Sequence, residues 1–277
     1  MAAFHERPAF DEGPAWIRYA DVIDDELAPV TSAMLGAAAP ADGESVLDVA
    51  GVTAGVGLAA AERVGKRGHV VIGDRVPVLV AAAQERATRR SLTQVSTRIL
   101  VLTDLDVPAS EFDAVVCRFG LLTEPGSAAA AIDEMVRVLR PGGRLAVAVW
   151  GPRADNPWLG VVLDAFDAVS GSAPPRARDV FAFGSAGALE SLLSVPAFAH
   201  SEVHDVDVVV HGLSFPSWWE RTLALHGSIA SALDALDETT RAAITAHVER
   251  RLGDYRAPGP AAFALPGIAR VGTAHLR

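Results

Sequence analysis

Short apolar runs alternate with stretches of helical periodicity through the middle of the chain. The runs at 45–50, 69–73, 97–102, 112–117 and 144–150 read as strands, and the stretches at 54–64, 78–90 and 128–139 read as helices. Gly65-Lys-Arg-Gly68 and Pro141-Gly-Gly143 punctuate the pattern as turns. The strand runs are apolar almost throughout rather than every second residue, which is the pattern of strands covered on both faces. Strands and helices in strict alternation predict an α/β fold with a mainly parallel sheet and right-handed crossovers.

The flanks follow a looser pattern. Residues 1–13 read as a loose arm. Ile17, Val22, Ile23, Leu27, Val30, Met34 and Leu35 then recur at helical spacing, with a break near Pro29. This predicts two short helices laid over the sheet. After Gly151 a helix is expected over 157–169, loops at 171–175 and 181–184, and a short helix over 186–193. A strand at or near the sheet edge is expected over 201–211. An aromatic-rich helix opens at Phe215, an amphipathic helix covers 237–251, and a last strand covers 268–275. The division is therefore 1–40 as a helical arm and lid, 41–152 as a Rossmann-like core, and 153–277 as lid helices plus the last two of seven strands.

The segment Glu44-Ser-Val-Leu-Asp48-Val-Ala-Gly51-Val-Thr-Ala-Gly55-Val-Gly57 joins the first strand to the first core helix through a loop of small residues. Such a loop lets backbone approach a ligand at a helix N-terminus. Four further stretches accompany it: Asp74-Arg-Val-Pro77, the run 112–121, the run 138–151, and the Phe215-Pro-Ser-Trp-Trp219 segment with its following strand. In this order and spacing the whole chain resembles the class I S-adenosylmethionine-dependent methyltransferases, of the kind that modify quinones and microbial secondary metabolites. The resemblance implies a seven-stranded Rossmann-like sheet with a helical lid. In that family the first loop reads Asp-x-Gly-x-Gly-x-Gly. Aligned without a gap, this chain has Ala50, Val52 and Ala54 at the glycine positions, with Gly51 and Gly55 one residue out of step. A β-branched Val52 is expected to intrude over the ribose or to force an unfavourable backbone. The acid usual after the third strand aligns with Val101, with Asp104 and Asp106 three and five residues later.

These departures shape the functional expectation. The main reading is an enzyme of small-molecule biosynthesis that keeps the cleft and works without S-adenosylmethionine, closing a ring by intramolecular displacement with loss of an anionic leaving group. The alternatives are an S-adenosylmethionine-dependent small-molecule methyltransferase and a non-catalytic scaffold or partner subunit. Asp48, Arg118 and His226 are the candidate catalytic residues: a base or electrostatic group, an anion holder, and a positioner or proton donor. Trp16, Tyr19, Trp150, Trp218 and Trp219 are expected against the substrate, with Trp219 and His226 two helical turns apart on one face. If the cofactor is retained, the resemblance assigns it Asp48, Gly51, Gly55, Asp74 and Asp104, with Asp74 accepting from the ribose hydroxyls.

Composition trims the options. With 24 Lys and Arg against 34 Asp and Glu the formal charge is −10, which gives nucleic acid and anionic lipid no field to bind. One cysteine excludes an internal disulfide and fits a cytoplasmic setting. No membrane span is expected. His200, His204 and His211 lack metal-site spacing, so no metal is expected. The partner is a small-molecule substrate, with a homodimer or a heteromeric partner left open.

Overall fold

Valine, leucine and alanine fill both faces of the central strands because helices cover the sheet on each side. The computed structural model describes residues 13–257 and 262–277; of the expected N-terminal arm only Gly13 falls within them. The lid begins as three helices rather than two, α1 (Gly13–Arg18), α2 (Ala20–Glu26) and α3 (Ala28–Ala38). The chain bends at Tyr19 and Leu27, and Pro29 lies in the first turn of α3, where its missing N–H costs nothing.

The core then runs β1 (Ser45–Val49), α4 (Gly55–Val64), β2 (His69–Asp74), α5 (Pro77–Arg89), β3 (Val95–Ile99), β4 (Phe112–Arg118), α6 (Ala128–Val138) and β5 (Leu139–Trp150). After it come α7 (Pro157–Ser170), α8 (Pro175–Asp179), α9 (Ala188–Leu192), β6 (Phe198–Gly212), α10 (Phe215–Leu225), α11 (Gly227–Asp234), α12 (Glu238–Leu252) and β7 (Phe263–Leu276). The seven strands form one sheet in the order β3-β2-β1-β4-β5-β7-β6. The first five are parallel, whereas β7 runs antiparallel to both β5 and β6.

Alternate residues of each central strand serve two separate cores. Val46, Ala114, Val116, Ala146, Ala148 and Trp150 face the lid, α3, α4 and α7. Leu47, Val115, Cys117, Leu145, Val147 and Val149 face α6 and α9. Several strand boundaries differ from the sequence expectation, with β6 opening at Phe198 rather than 201 and β7 at Phe263 rather than 268. β3 starts and ends earlier than 97–102, because Leu100 turns into the core while Val101 stands half exposed in a bridge to Asp104. β5 reaches back to Leu139, and its Pro141-Gly142-Gly143 segment bulges between the paired residues Leu139 and Arg144. Helix α11 had no counterpart in the sequence reading. Helix α12 starts where Asp237 caps it, its Oδ1 accepting from the Thr240 N–H at 2.9 Å. No described helix is long and apolar enough to cross a membrane.

Candidate active site

The strand order reverses between β1 and β4, and in an open α/β sheet the crevice outside the carboxyl ends at that point receives ligands. Here those ends contribute the 50–54 loop after β1, Asp74 at the end of β2, the 118–120 segment after β4, and Trp150 at the end of β5. Two cavities lie in this crevice. The larger, of about 340 Å³, is lined by Asp48, Phe119, Trp150, Trp158, Trp218 and His226 among others. The smaller, of about 170 Å³, is bounded by Asp74, Leu79, Val101, Leu102 and Thr103. Trp16, Ala50, Val52, Arg75, Gly120 and Thr123 line both.

The loop between them keeps a backbone that glycine would adopt most easily. Ala50, Val52 and Ala54 have φ of +56°, +30° and +65°. These are the three residues that the ungapped alignment sets at family glycine positions. Left-handed φ costs an L-residue about 1–2 kcal/mol, and β-branched valine is among the least suited to it. Gly51 and Gly55 have no positive φ; Gly55 is glycine for space, because a Cβ there would collide with the Asp24 carboxylate.

Asp48 forms the floor of the larger cavity. Its Oδ2 accepts from the Gly57 N–H at 2.7 Å, whereas its buried Oδ1 has no hydrogen-bond partner. Burial raises its carboxyl from 3.8 to about 7, against the opposing pull of the Arg118 guanidinium. Asp74 accepts from two backbone donors, Val76 N–H at 2.9 Å and Val52 N–H at 3.2 Å, and burial raises its carboxyl too.

Arg118 points away from the role of holding a substrate anion. Its Nη2 donates to Asp24 Oδ1 at 2.6 Å and to Thr53 Oγ1 at 2.7 Å, and its Nη1 to Thr31 Oγ1 at 2.8 Å. Asp24 is shared with Arg86, whose Nη1 donates to its Oδ2 at 2.8 Å and whose Nη2 reaches Asp21 at 2.7 Å. Asp24 on α2 thus bridges two buried arginines and ties the lid to the 50–54 loop. A second tie joins Glu26 on α2 to Arg221 on α10 at 3.1 Å.

His226 lines the larger cavity, but not alongside Trp219. Helix α10 ends at Leu225, so the expected two-turn relation is broken and the His226 ring lies 6.0 Å from that of Trp158. Its Nδ1 is 2.9 Å from the Thr222 carbonyl oxygen. A carbonyl only accepts, so Nδ1 carries the proton and Nε2 is left as the basic nitrogen. Burial lowers the pKa of this ring, which favours the neutral form. Phe119 stacks on Trp150 at 4.4 Å and 9°, and Trp150 meets Trp158 at 4.7 Å, giving the cavity a continuous aromatic wall.

Of the other residues singled out in sequence, Trp16 lines both cavities, Trp150 and Trp218 the larger one, and Gly51 the larger one. Tyr19, Trp219, Gly55 and Asp104 line neither. Tyr19 and Trp219 pack against the core instead. Asp104 serves the turn after β3, where its N–H donates to the Val101 carbonyl at 3.0 Å. Trp158, Asp24, Arg86 and Thr53 were not singled out. Pro157 at a helix start forecast the position of Trp158, but nothing local told its direction. Among the described residues no group of three or more His, Cys, Asp or Glu is arranged to hold a metal ion.

Comparison with known proteins agrees with this architecture. Residues 46–143 match the family described as methyltransferase domain. The chain is 30% identical over 254 residues to nocamycin O-methyltransferase of Saccharothrix syringae, covering 86% of this chain and 88% of that one. An uncharacterized protein of Mycobacterium tuberculosis is 36% identical over 137 residues, 48% of this chain and 46% of that protein. The match thus spans about half the length of these mycobacterial relatives. The YcgJ protein of Bacillus subtilis shares the fold, with a TM-score of 0.57 at 15% identity over 89% of this chain and 97% of that one. The near full-length match to an O-methyltransferase overturns the expectation of ring closure without S-adenosylmethionine.

Proposed function

Taking as premise that this chain belongs to the class I S-adenosylmethionine-dependent methyltransferase superfamily, we propose that it transfers a methyl group from S-adenosylmethionine to a hydroxyl of a small organic molecule. The observation that carries this reading is the pair of joined cavities at the carboxyl ends of the strands, one beside Asp74 and one walled by aromatic rings around His226. The residues present fit the cofactor. Asp48 Oδ1 is a buried acceptor without a donor, suited to an ammonium group, and a carboxylate such as Asp74 retains lone pairs for ribose hydroxyls beyond its two backbone bonds. When bound, S-adenosylmethionine supplies a methyl group on a positively charged sulfur.

The remaining work falls to the chain. Trp150, Trp158 and Phe119 hold an apolar substrate body against a flat wall and exclude water. His226 Nε2 accepts the hydroxyl proton as that oxygen becomes nucleophilic, and the Nδ1–H bond to Thr222 fixes the tautomer and orientation this needs. Mixing the protein with S-adenosylmethionine in a calorimeter tests the first half of the reading, with saturable heat expected. A hydroxylated aromatic acceptor then tests the second, by release of S-adenosylhomocysteine. His226→Gln is expected to lower that turnover by about 10²–10⁴-fold while leaving cofactor affinity unchanged. No heat up to millimolar cofactor would defeat the proposal.

A further inference from the structure

Only one oxygen of Glu26 is used in tying α2 to its neighbours. Oε1 accepts from Arg221 Nη1 at 3.1 Å and from the His211 backbone N–H at 3.0 Å. An arginine that merely braced a carboxylate would set two parallel N–H bonds on its two oxygens. Arg221 instead turns Nη2 to the His211 carbonyl at 3.2 Å. Among the described residues no donor is set on Glu26 Oε2, and that oxygen keeps accessible surface. The side chain is only 12% exposed, and burial raises its carboxyl above the usual value. It borders the larger cavity where Ile23, Leu27, Val210 and Leu225 otherwise make the lining apolar. A polar atom is unfavourable in such a wall unless something donates to it. The same cavity holds the proton acceptor: Arg221 and Thr222 are consecutive on α10, and the Thr222 carbonyl orients His226. Two acceptors, His226 Nε2 and Glu26 Oε2, thus belong to one space walled by the stacked rings of Phe119 and Trp150. Because Arg221 offsets the charge of Glu26, the pair suits a neutral O–H donor better than an ammonium group.

We propose that Glu26 is a specificity-determining residue for the acceptor: its Oε2 takes a hydrogen bond from a second hydroxyl of a flat, apolar molecule whose first hydroxyl meets His226. The inference rests on the methyltransferase reading above for the fate of the first hydroxyl, and it narrows the acceptor class to planar diols. The first oxygen gains the methyl group from sulfur, which keeps the bonding pair and becomes a thioether, and its proton passes to His226 Nε2. The second hydroxyl keeps its proton and only orients the molecule. An acceptor without that hydroxyl leaves a buried carboxylate oxygen facing an apolar ring, and a site built to take a hydroxyl discriminates strongly against the analogue that lacks it.

Glu26→Gln separates this role from bracing. The amide oxygen still accepts from Arg221 and His211, which both donate, so the NH2 group replaces Oε2 and an acceptor becomes a donor. Parent and variant are titrated calorimetrically, in the presence of S-adenosylhomocysteine, with naphthol and with naphthalene diols whose hydroxyls lie on the same ring or on opposite rings. The parent is expected to bind at least one diol about ten- to a hundredfold tighter than naphthol, and the variant to lose that preference. A preference that survives in the variant, equal affinities in the parent, or no binding of any of these compounds by the parent would overturn the role of Glu26. Melting curves identify a variant that has failed to fold, in which case the parent's own preference decides. Turnover of the same compounds with S-adenosylmethionine is read separately. Methylation of naphthol and diols without preference would overturn the role of Glu26 and leave the methyltransferase reading intact. Preferential diol binding with no methylation of any compound would uphold Glu26 as the diol acceptor and overturn the transfer.

Discussion

Asp48→Asn should change how the stability of the empty protein depends on pH. The carboxyl is buried, with one oxygen on the Gly57 N–H and the other without a donor, and it titrates at about 7 in the folded chain against 3.8 for a solvated aspartate. Between those two values the folded protein holds a proton that the unfolded chain has released. Stability therefore falls as pH rises through this window, by about 1.4 kcal/mol per pH unit. The loss totals about 4 kcal/mol by the time the folded carboxyl has ionised, and it is absent below the unfolded value. Asparagine does not ionise, and its carbonyl can still accept from Gly57. Any fixed cost of the substitution shifts its curve without changing the slope. Guanidinium unfolding of both proteins at steps from about pH 4 to about pH 8 measures the difference directly, since other titrating groups cancel between them. The parent is expected to lose ground to the variant steadily up to neutrality, and then to run parallel to it. Parallel curves across the whole range would refute the buried, proton-holding Asp48.

Two other outcomes follow from the same site. A cationic cofactor that settles on Asp48 ionises it, so binding at about pH 6 is expected to release a proton; calorimetry in buffers of different ionisation enthalpy detects this, and Asp48→Asn abolishes it. Asp24→Ala leaves Arg86 and Arg118 buried around a missing charge, and is expected to cost about 3–5 kcal/mol in chemical denaturation, more than removal of an exposed partner such as Glu220.

The sheet was legible because its parallel strands are buried on both faces, and an apolar run such as 112–117 has few other places to lie. β3 was less so. An edge strand buries little, and Leu100 and Val101 look like strand residues although the chain has left the sheet after Ile99. The glycine positions were readable, and so was the unfavourable backbone at Val52. Only the dihedral angles of Ala50, Val52 and Ala54 show that the backbone has kept a glycine-like path with other side chains on it. The arginine network was invisible for a different reason, since Asp24 meets Arg86 and Arg118 from 62 and 94 residues away. His226 lines the larger cavity, but beside Trp158 rather than the expected Trp219. Reading one helix through it hid the break at Leu225, which Gly227 directly after the histidine could have signalled.

The insertion of β7 between β5 and β6 also bears on how the chain is made. Strand β6 emerges from the ribosome before β7 and, among the described residues, has no hydrogen-bonded neighbour in the sheet other than β7. Until residues 263–276 are synthesised, the nascent chain carries β5 with one open edge and β6 with nothing to pair. Residues 213–262 must be made while the sheet still lacks a strand beside Trp150, which leaves an unpaired edge open to a chaperone or a neighbouring nascent chain.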